Sequence, residues 1–537
     1  MVENLHSHSP ASNQSADDID AINPCPDLDK EETSLLYPNT RTLPHSKCTK
    51  CFPPVRFNLM ILGWLASLLA YCLRFDLSIA LVLMVNQTSA HNSHEWNKSH
   101  TSYCTGRLND TFTKNATLMS GNINWTPNQQ GIITSAFFVG YFLSQVPWGI
   151  ISQRIGGKLT VGWGLLACAI LTFTFPSASK YSFPLATVIR GLMGLAQGSV
   201  FPGLILLQGK WVPVSERSKF NTVIGAGGLV GLIVSTYITS LLNSNTWYGG
   251  WETPFYVFGG VTFLWFIFWH FFMFNDPSEH PRISAEEVDY IQRSLRNTKL
   301  HENDIPWKKV LTYIPLWSVN IMLFCSSWLF YSIASFLPTY MKNILGLDIH
   351  QNGIFSSLPY VAALFMSIVS GILADVLLNK GVNITVVRKI FAACGLLLET
   401  LGMLAVVYLG CRRSYVEIML IVAYGFGSFS DGGTSVTIID IAPKYAGFIY
   451  GIANSVANLS GVMGPYVTGA ILKDESSLYQ WKKAFWVGCG MNILGVTTFL
   501  CFGSAKKASW AEDVNDVAIN SEPSDVQKKK DYGAIVT

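Results

Sequence analysis

Twelve long apolar runs dominate the sequence, at 57–85, 129–151, 158–176, 184–208, 220–242, 254–275, 316–340, 352–378, 386–410, 414–439, 446–472 and 482–503. Each is long enough for a helix crossing a hydrocarbon core of ~30 Å, which takes about 20 residues. Inside lipid the backbone must satisfy its own polar groups, so only helices or closed barrels span. These runs are too long and unbroken for barrel strands. The expected fold is an all-α membrane protein with twelve transmembrane helices, and the lipid bilayer is its first partner. Composition agrees: only 13% of residues are charged, where a soluble chain carries about 25%. A formal net charge of +3 gives no reason to expect nucleic acid as a partner. There is no Cys/His cluster of zinc type, no phosphate loop and no hydrolase elbow, and the ionisable groups are too scattered for an enzyme site.

Two patterns orient the helices. Between the first two runs, glycosylation acceptor patterns begin at Asn86, Asn97, Asn109, Asn115 and Asn124, so that loop belongs on the lumenal or extracellular side. The outer two lie close to the membrane, which leaves Asn97, Asn109 and Asn115 as the candidate sites. The loop with Arg154 and Lys158, and the central segment with Arg282, Arg293, Arg296, Lys308 and Lys309, are basic and belong in the cytosol. Arg412, Arg413, Lys482 and Lys483 run against this trend, but both termini inside fit best. The first 50 residues are polar and acidic with no leading apolar segment, which argues against a cleaved signal peptide. The organisation expected is a cytosolic tail 1–56, a six-helix half 57–275 with a glycosylated loop 86–126, a linker 276–315, a second six-helix half 316–503 and a cytosolic tail 504–537.

The halves repeat a motif. Gly149-Ile-Ile-Ser-Gln-Arg154-Ile-Gly-Gly-Lys158 follows the second run, and Gly371-Ile-Leu-Ala-Asp375-Val-Leu-Leu-Asn-Lys380 follows the eighth. A glycine lets two helices approach closely, and the polar residues after it cap a cytosolic helix end. The same device six spans apart implies two six-helix halves, the parallel repeat of the major facilitator architecture, with substrate at the midplane between them. Residues 284–297 predict a short surface helix in the linker, acting as a spacer.

Two runs each carry one arginine, Arg74 in the first and Arg190 in the fourth. A cation at membrane depth costs at least ~2.5–3.5 kcal/mol, so it normally faces a bundle interior and has a partner. Two such cations suggest a cavity built for an anion. The plainer reading is that each pairs with a protein carboxylate and locks helices together. Asp76 does not face Arg74, because residues two apart on a helix point to different faces, so its partner would come from another helix.

Trp211-Val-Pro-Val-Ser-Glu216-Arg217-Ser218, after the fourth run, resembles the W-x-P-x-x-E-R-S signature of solute carrier family 17. Asp440-Ile-Ala-Pro-Lys-Tyr-Ala-Gly447, after the tenth, is similar to that family's D-I-A-P-x-Y-A-G. Leu337-Pro-Thr-Tyr-Met-Lys342, Asn352-Gly-Ile-Phe-Ser-Ser-Leu-Pro-Tyr360 and Asp276-Pro-Ser-Glu-His-Pro-Arg-Ile-Ser284 add to the likeness, which runs from about Arg56 to Trp510. The family carries organic anions: sialic acid and acidic sugars, glutamate, nucleotides, urate and phosphate. Its sialin and sodium–phosphate branches are the most similar. The resemblance implies that Arg74 and Arg190 face the substrate, with Tyr71, Phe138, Tyr141 and Tyr331 as cavity walls. Plain core packing is an equal reading for Phe138. Guanidinium suits the task because it stays charged and grips a carboxylate or phosphate with two hydrogen bonds. The motif residues Arg154, Asp375, Glu216, Arg217 and Asp440 are candidates for gating.

Departures from the family pattern shape the expectation. Sialin-like proton symporters carry two glutamates on the fourth helix, where this chain has Met193 and Gln197. Gln197 carries no proton. The glutamate carriers have a histidine in the second helix and an arginine in the seventh, where this chain has Thr134 and Ser326, which argues against glutamate loading. Asp431, in Gly427-Ser-Phe-Ser-Asp431-Gly-Gly433 of the tenth run, is the candidate that replaces the missing glutamates; the alternative is a static Asp431–arginine pair.

Tail signals suggest an address. Glu31-Glu-Thr-Ser-Leu35-Leu36 is an acidic dileucine pattern and Tyr532-Gly-Ala-Ile535 a tyrosine pattern, both of the type read by clathrin adaptors. They point to lysosome or endosome ahead of the plasma membrane. Cys104 and Cys411 lie in loops on the oxidising side and are either a disulfide or two free thiols. Taken together, the expectation is a secondary active carrier of small organic anions, working by alternating access with a proton or sodium ion as coupling ion and no other cofactor. A sodium-linked phosphate or urate carrier at the plasma membrane is the alternative, and a non-transporting receptor or scaffold is the reading from another class.

Overall fold

The computed structural model describes residues 54–85, 121–213, 215–244, 250–295, 306–442 and 445–511. Asn97, Asn109, Asn115, Leu35, Leu36, Tyr532 and Cys104 lie outside the described residues. Cys411 is disulfide-bonded.

The apolar runs become helices because the backbone in lipid has no other partner. In chain order these are α1 (Arg56–Met84), α2 (Pro127–Ile155), α3 (Gly157–Tyr181), α4 (Phe183–Gln197), α5 (Val200–Trp211), α6 (Arg217–Ser244), α7 (Thr253–Phe272), α8 (Ala285–Leu295), α9 (Trp307–Thr312), α10 (Ile314–Asn343), α11 (Ile349–Asn379), α12 (Ile384–Leu409), α13 (Arg413–Phe429), α14 (Thr434–Ile441), α15 (Ala446–Ile471) and α16 (Leu478–Phe502). Polar residues set several starts. Thr126 and Gln129 form a capping box at α2, and Ser182, Asp348 and Asn383 cap α4, α11 and α12.

Among the described residues, nine helices are long and apolar enough to cross a membrane, counting α4 and α5 as one. Three more rods, α2, α13 with α14, and α15, have spanning length but are less apolar. Their inward faces bury Gln130, Gln145, Glu417 and Asn458. Outward faces are apolar: α7 exposes Phe263, Leu264, Phe268 and Phe271, as a lipid-facing surface requires.

Two rods are broken. The fourth turns at Gly198 and Ser199, between α4 and α5. The tenth turns at a 3-10 segment, Ser430–Gly432, between α13 and α14. The breaks sit six spans apart, one in each half, as an internal repeat requires.

The halves meet where α2 runs along α15, α6 along α11 and α1 against α10. At the end carrying the 86–126 loop this seam is shut. A Cβ on Gly131 would lie 2.8 Å from the Pro465 carbonyl, and one on Gly469 would lie 2.7 Å from that of Pro127. Lys342 Nζ donates to the Val82 carbonyl at 2.6 Å, and Gln130 Nε2 to Glu475 at 2.7 Å. Away from that end, a cavity is lined almost wholly by the second half, with Leu229 from the first. The linker helix α8 does more than space the halves: Glu287 accepts hydrogen bonds from the backbone of Val55 and Arg56.

Candidate substrate and coupling site

The two intramembrane arginines have different surroundings. Arg190 is 1% exposed and pairs with Asp76 at 3.5 Å. Its guanidinium also donates to the carbonyls of Leu73 and Arg74, at 3.4 and 2.8 Å. It therefore clamps α4 to α1, and Asp76 finds its partner on another helix, as its position two residues from Arg74 demanded. The pair is incomplete: Arg190 Nε and Asp76 Oδ2 are buried without a partner.

Arg74 has no carboxylate within ion-pair distance among the described residues. Its Nε and Nη2 both donate to Gln197 Oε1, at 3.0 and 2.8 Å, and Gln197 in turn donates to the Ala70 carbonyl. Rings surround the guanidinium: Tyr141 at 4.5 Å, Tyr71 at 4.7 Å, Phe137 at 5.2 Å and Phe138 at 5.8 Å from its central carbon. Ring faces attract a cation without neutralising it. Gln197 thus acts as the hydrogen-bond partner of Arg74, at the broken end of α4. Phe138 packs edge-on to Tyr331 at 4.7 Å.

Tyr331 lines the cavity, whose empty space is about 1030 Å³ counted to its open mouth. The hydroxyl of Tyr331 donates to Asn458 at 2.9 Å. Arg74 stands behind Tyr331 and Phe138, and neither arginine is among the residues lining the cavity. Glu399, Asp431, Tyr424, Ser326 and Tyr450 line it as well. Asp431 sits in the 3-10 turn that breaks the tenth span, where Ser367 Oγ donates to it at 2.8 Å. No arginine pairs with it among the described residues. Arg388, which donates to the carbonyl of the adjacent Gly432, is engaged by Asp440 at 2.8 Å.

The remaining motif residues serve the linker end. Glu216 accepts two hydrogen bonds from Arg56, at 3.0 and 3.2 Å, and Arg56 also reaches Glu287. Arg217 donates to the Gly209 carbonyl. Arg154 and Asp375 are exposed at their helix ends. Three residues of the site went unnoticed in the sequence: Phe137 beside Arg74, Glu399 in the cavity, and Asn492 behind Glu399. Glu399 is a lone carboxylate in an apolar run, the same signal that singled out Asp431.

A match to the Major Facilitator Superfamily covers residues 63–387. Sialin of Homo sapiens is 32% identical over 487 residues, spanning 90% of this chain and 96% of its own length. The probable small intestine urate exporter of Homo sapiens is 32% identical over 467 residues, 86% of this chain and 93% of its own. Among solved structures, a bacterial homologue of the human lysosomal transporter Spinster, inward-facing and occupied, superposes with a TM-score of 0.63. At 13% identity, over 84% of this chain and 97% of that one, this likeness is one of fold.

Proposed function

Since the chain belongs to the major facilitator superfamily and, within it, to solute carrier family 17, and is a multi-pass membrane transporter rather than an enzyme, we propose that it carries small carboxylated organic anions of the acidic-sugar type by proton-coupled alternating access. The observation that supports this reading is Arg74: a desolvated guanidinium, held by an amide and four rings, with no protein carboxylate to neutralise it among the described residues. An anion entering past Tyr331 completes that site. Arg190 already has Asp76 as counter-ion, so in this reading it shapes the site from behind and Arg74 grips the substrate.

The cavity side of the cycle is the cytosol-open state. The seam at the end carrying the 86–126 loop is shut by glycine contacts, while the cavity lies away from that end. Asp431 is the proposed proton carrier, since its surroundings offer a hydroxyl and no cation. Tail signals at Leu35 and Leu36, read by clathrin adaptors, support a lysosomal or endosomal address. The second reading, a sodium-linked phosphate or urate carrier, draws on the urate exporter's likeness and on Gln197, which leaves the fourth helix without a proton-binding group.

The test uses the full chain with Leu35→Ala and Leu36→Ala to raise its surface level. Uptake of labelled sialic acid, glucuronate, urate and phosphate is measured with imposed pH and sodium gradients. Sialic acid or glucuronate uptake should follow the pH gradient. Arg74→Lys should lose at least about tenfold, because an ammonium keeps the charge but lacks the planar fork. Full uptake by Arg74→Ala at normal surface level rejects the site. Uptake of phosphate or urate alone, driven by sodium, replaces the first reading by the second.

A further inference from the structure

We propose that Glu399 is a proton-binding residue of the transport cycle, its carboxyl and the Asn492 amide forming a two-state pair beside Asp431 at the cavity wall. The inference rests on the proton-coupled reading above and extends it from one carboxylate to two. Glu399 is 5% exposed, on α12, and lines the cavity together with Asp431. Gly427 makes room for it: a Cβ there would lie 2.7 Å from the carboxyl carbon. Gly427 and Asp431 are four residues apart where α13 runs into its 3-10 turn, so Glu399 on α12 packs against the face of the broken tenth span that carries Asp431.

Among the described residues, the titratable groups around Glu399 are acids: Asp431 after α13, Tyr424 on α13 and Cys489 on α16, with Tyr360 next to Tyr424 and Tyr450 on the wall of the same cavity. No ion pair joins Glu399 or Asp431 to a cation among the described residues. A desolvated carboxylate without a cation is costly, so packing of this kind favours a neutral carboxylic acid.

Asn492 supplies the independent observation. It is fully buried on α16, and its Nδ2 donates to Glu399 Oε2 at 3.0 Å. Its Oδ1, equally buried, has no hydrogen-bond partner. A stranded acceptor beside a carboxylate is what a proton would satisfy. When the carboxylate takes a proton from water in the cavity, the new O–H can donate to Asn492 Oδ1 once the amide turns over. When the proton leaves, the amide turns back and Nδ2 donates again. Either state of the acid has a partner in place, so a proton can load and unload without repacking the core.

Three measurements decide it. In proteoliposomes, wild type should show pH-gradient-driven uptake, and Glu399→Gln should lose roughly tenfold of that drive, within the usual range of site–site coupling. Glu399→Gln should keep substrate exchange across a pH-matched membrane. On wild type, dicyclohexylcarbodiimide, which reacts with protonated carboxyls in apolar surroundings, should label Glu399, more at acidic than at neutral pH, as read by peptide mass spectrometry. This last reading needs no variant to fold. Glu399→Gln with a full pH response, or wild type unlabelled at Glu399, overturns the proposal. A wild type without any pH-gradient response instead rejects the proton-coupled reading on which it rests. Loss in Glu399→Gln with none in Asp431→Asn moves the carrier role from Asp431 to Glu399 and upholds the proposal.

Discussion

At the residue scale, two arginines with the same sequence signature differ in their surroundings: Arg190 has Asp76 as counter-ion, and Arg74 has no carboxylate within ion-pair distance among the described residues. Removing one partner of a buried ion pair leaves the other charge uncompensated, at a cost of ~3–5 kcal/mol. Asp76→Asn should therefore lower thermal stability in detergent markedly, whereas Arg74→Gln, which orphans no carboxylate, should change stability little and abolish uptake. Equal melting temperatures for Asp76→Asn and wild type would refute the clamp. The sequence made the cost of each arginine legible, since charge in an apolar run is conspicuous. It did not reveal the pairing, which depends on how α1 and α4 are rotated against each other. Asp76 was excluded as Arg74's partner by helix geometry alone, and the structure places it on Arg190. The same geometry hid Glu399, because its importance comes from Asn492, 93 positions away.

At the element scale, the apolar runs made the spans legible, but the two broken rods were not. Gly198-Ser199 and Ser430–Gly432 are short, and such pairs also occur inside unbroken helices; the break is imposed by tertiary contacts. On α12, a Cβ at Gly395 would lie 2.5 Å from Ser430 N, so only glycine lets that helix reach the turn carrying Asp431. Glycines also decide where the halves close. Gly131 and Gly469 face each other across α2 and α15, with a Cβ on Gly469 falling 2.8 Å from Gly131 Cα. Gly469→Leu should thus keep the cavity end intact but prop open the opposite seam. A reporter is Ser240→Cys, whose native hydroxyl is buried against α11 at that seam, 1% exposed. Labelling at that cysteine by a membrane-impermeant thiol reagent should rise in the Gly469→Leu background while uptake falls. Unchanged labelling with normal uptake would mean that this seam does not gate.

At the scale of the whole molecule, a buried acid outside the spans, Glu475, lies at the closed seam, where its titration would couple the state of the carrier to pH. Glu475, between α15 and α16, accepts from Gln130 of the first half at 2.7 Å and from Asn343 of the second at 2.9 Å. Its neighbours Lys342 and Asp474 complete the charged surroundings. Burial pushes its carboxyl from an ordinary value of 4.5 up to about 7, against the pull of those two amides and of Lys342. When the seam opens, water reaches Glu475 and the ordinary value returns. The closed state therefore binds the proton more tightly, so acid on that side favours closure. The advantage is complete below about 4.5 and fades as pH rises through about 7. If that side of the carrier meets an acidic compartment, acidity would hold this seam shut, the arrangement its Gln130–Glu475 and Lys342–Val82 contacts have here. Labelling of Ser240→Cys from the lumenal side should accordingly be low in acid and climb toward neutral pH. Glu475→Gln, always neutral, should hold labelling low across the whole range, since the closed seam no longer has a charge to bury. A climb of equal size in Glu475→Gln would assign the pH response to another group, and a flat profile in the parent would remove Glu475 from the gate altogether.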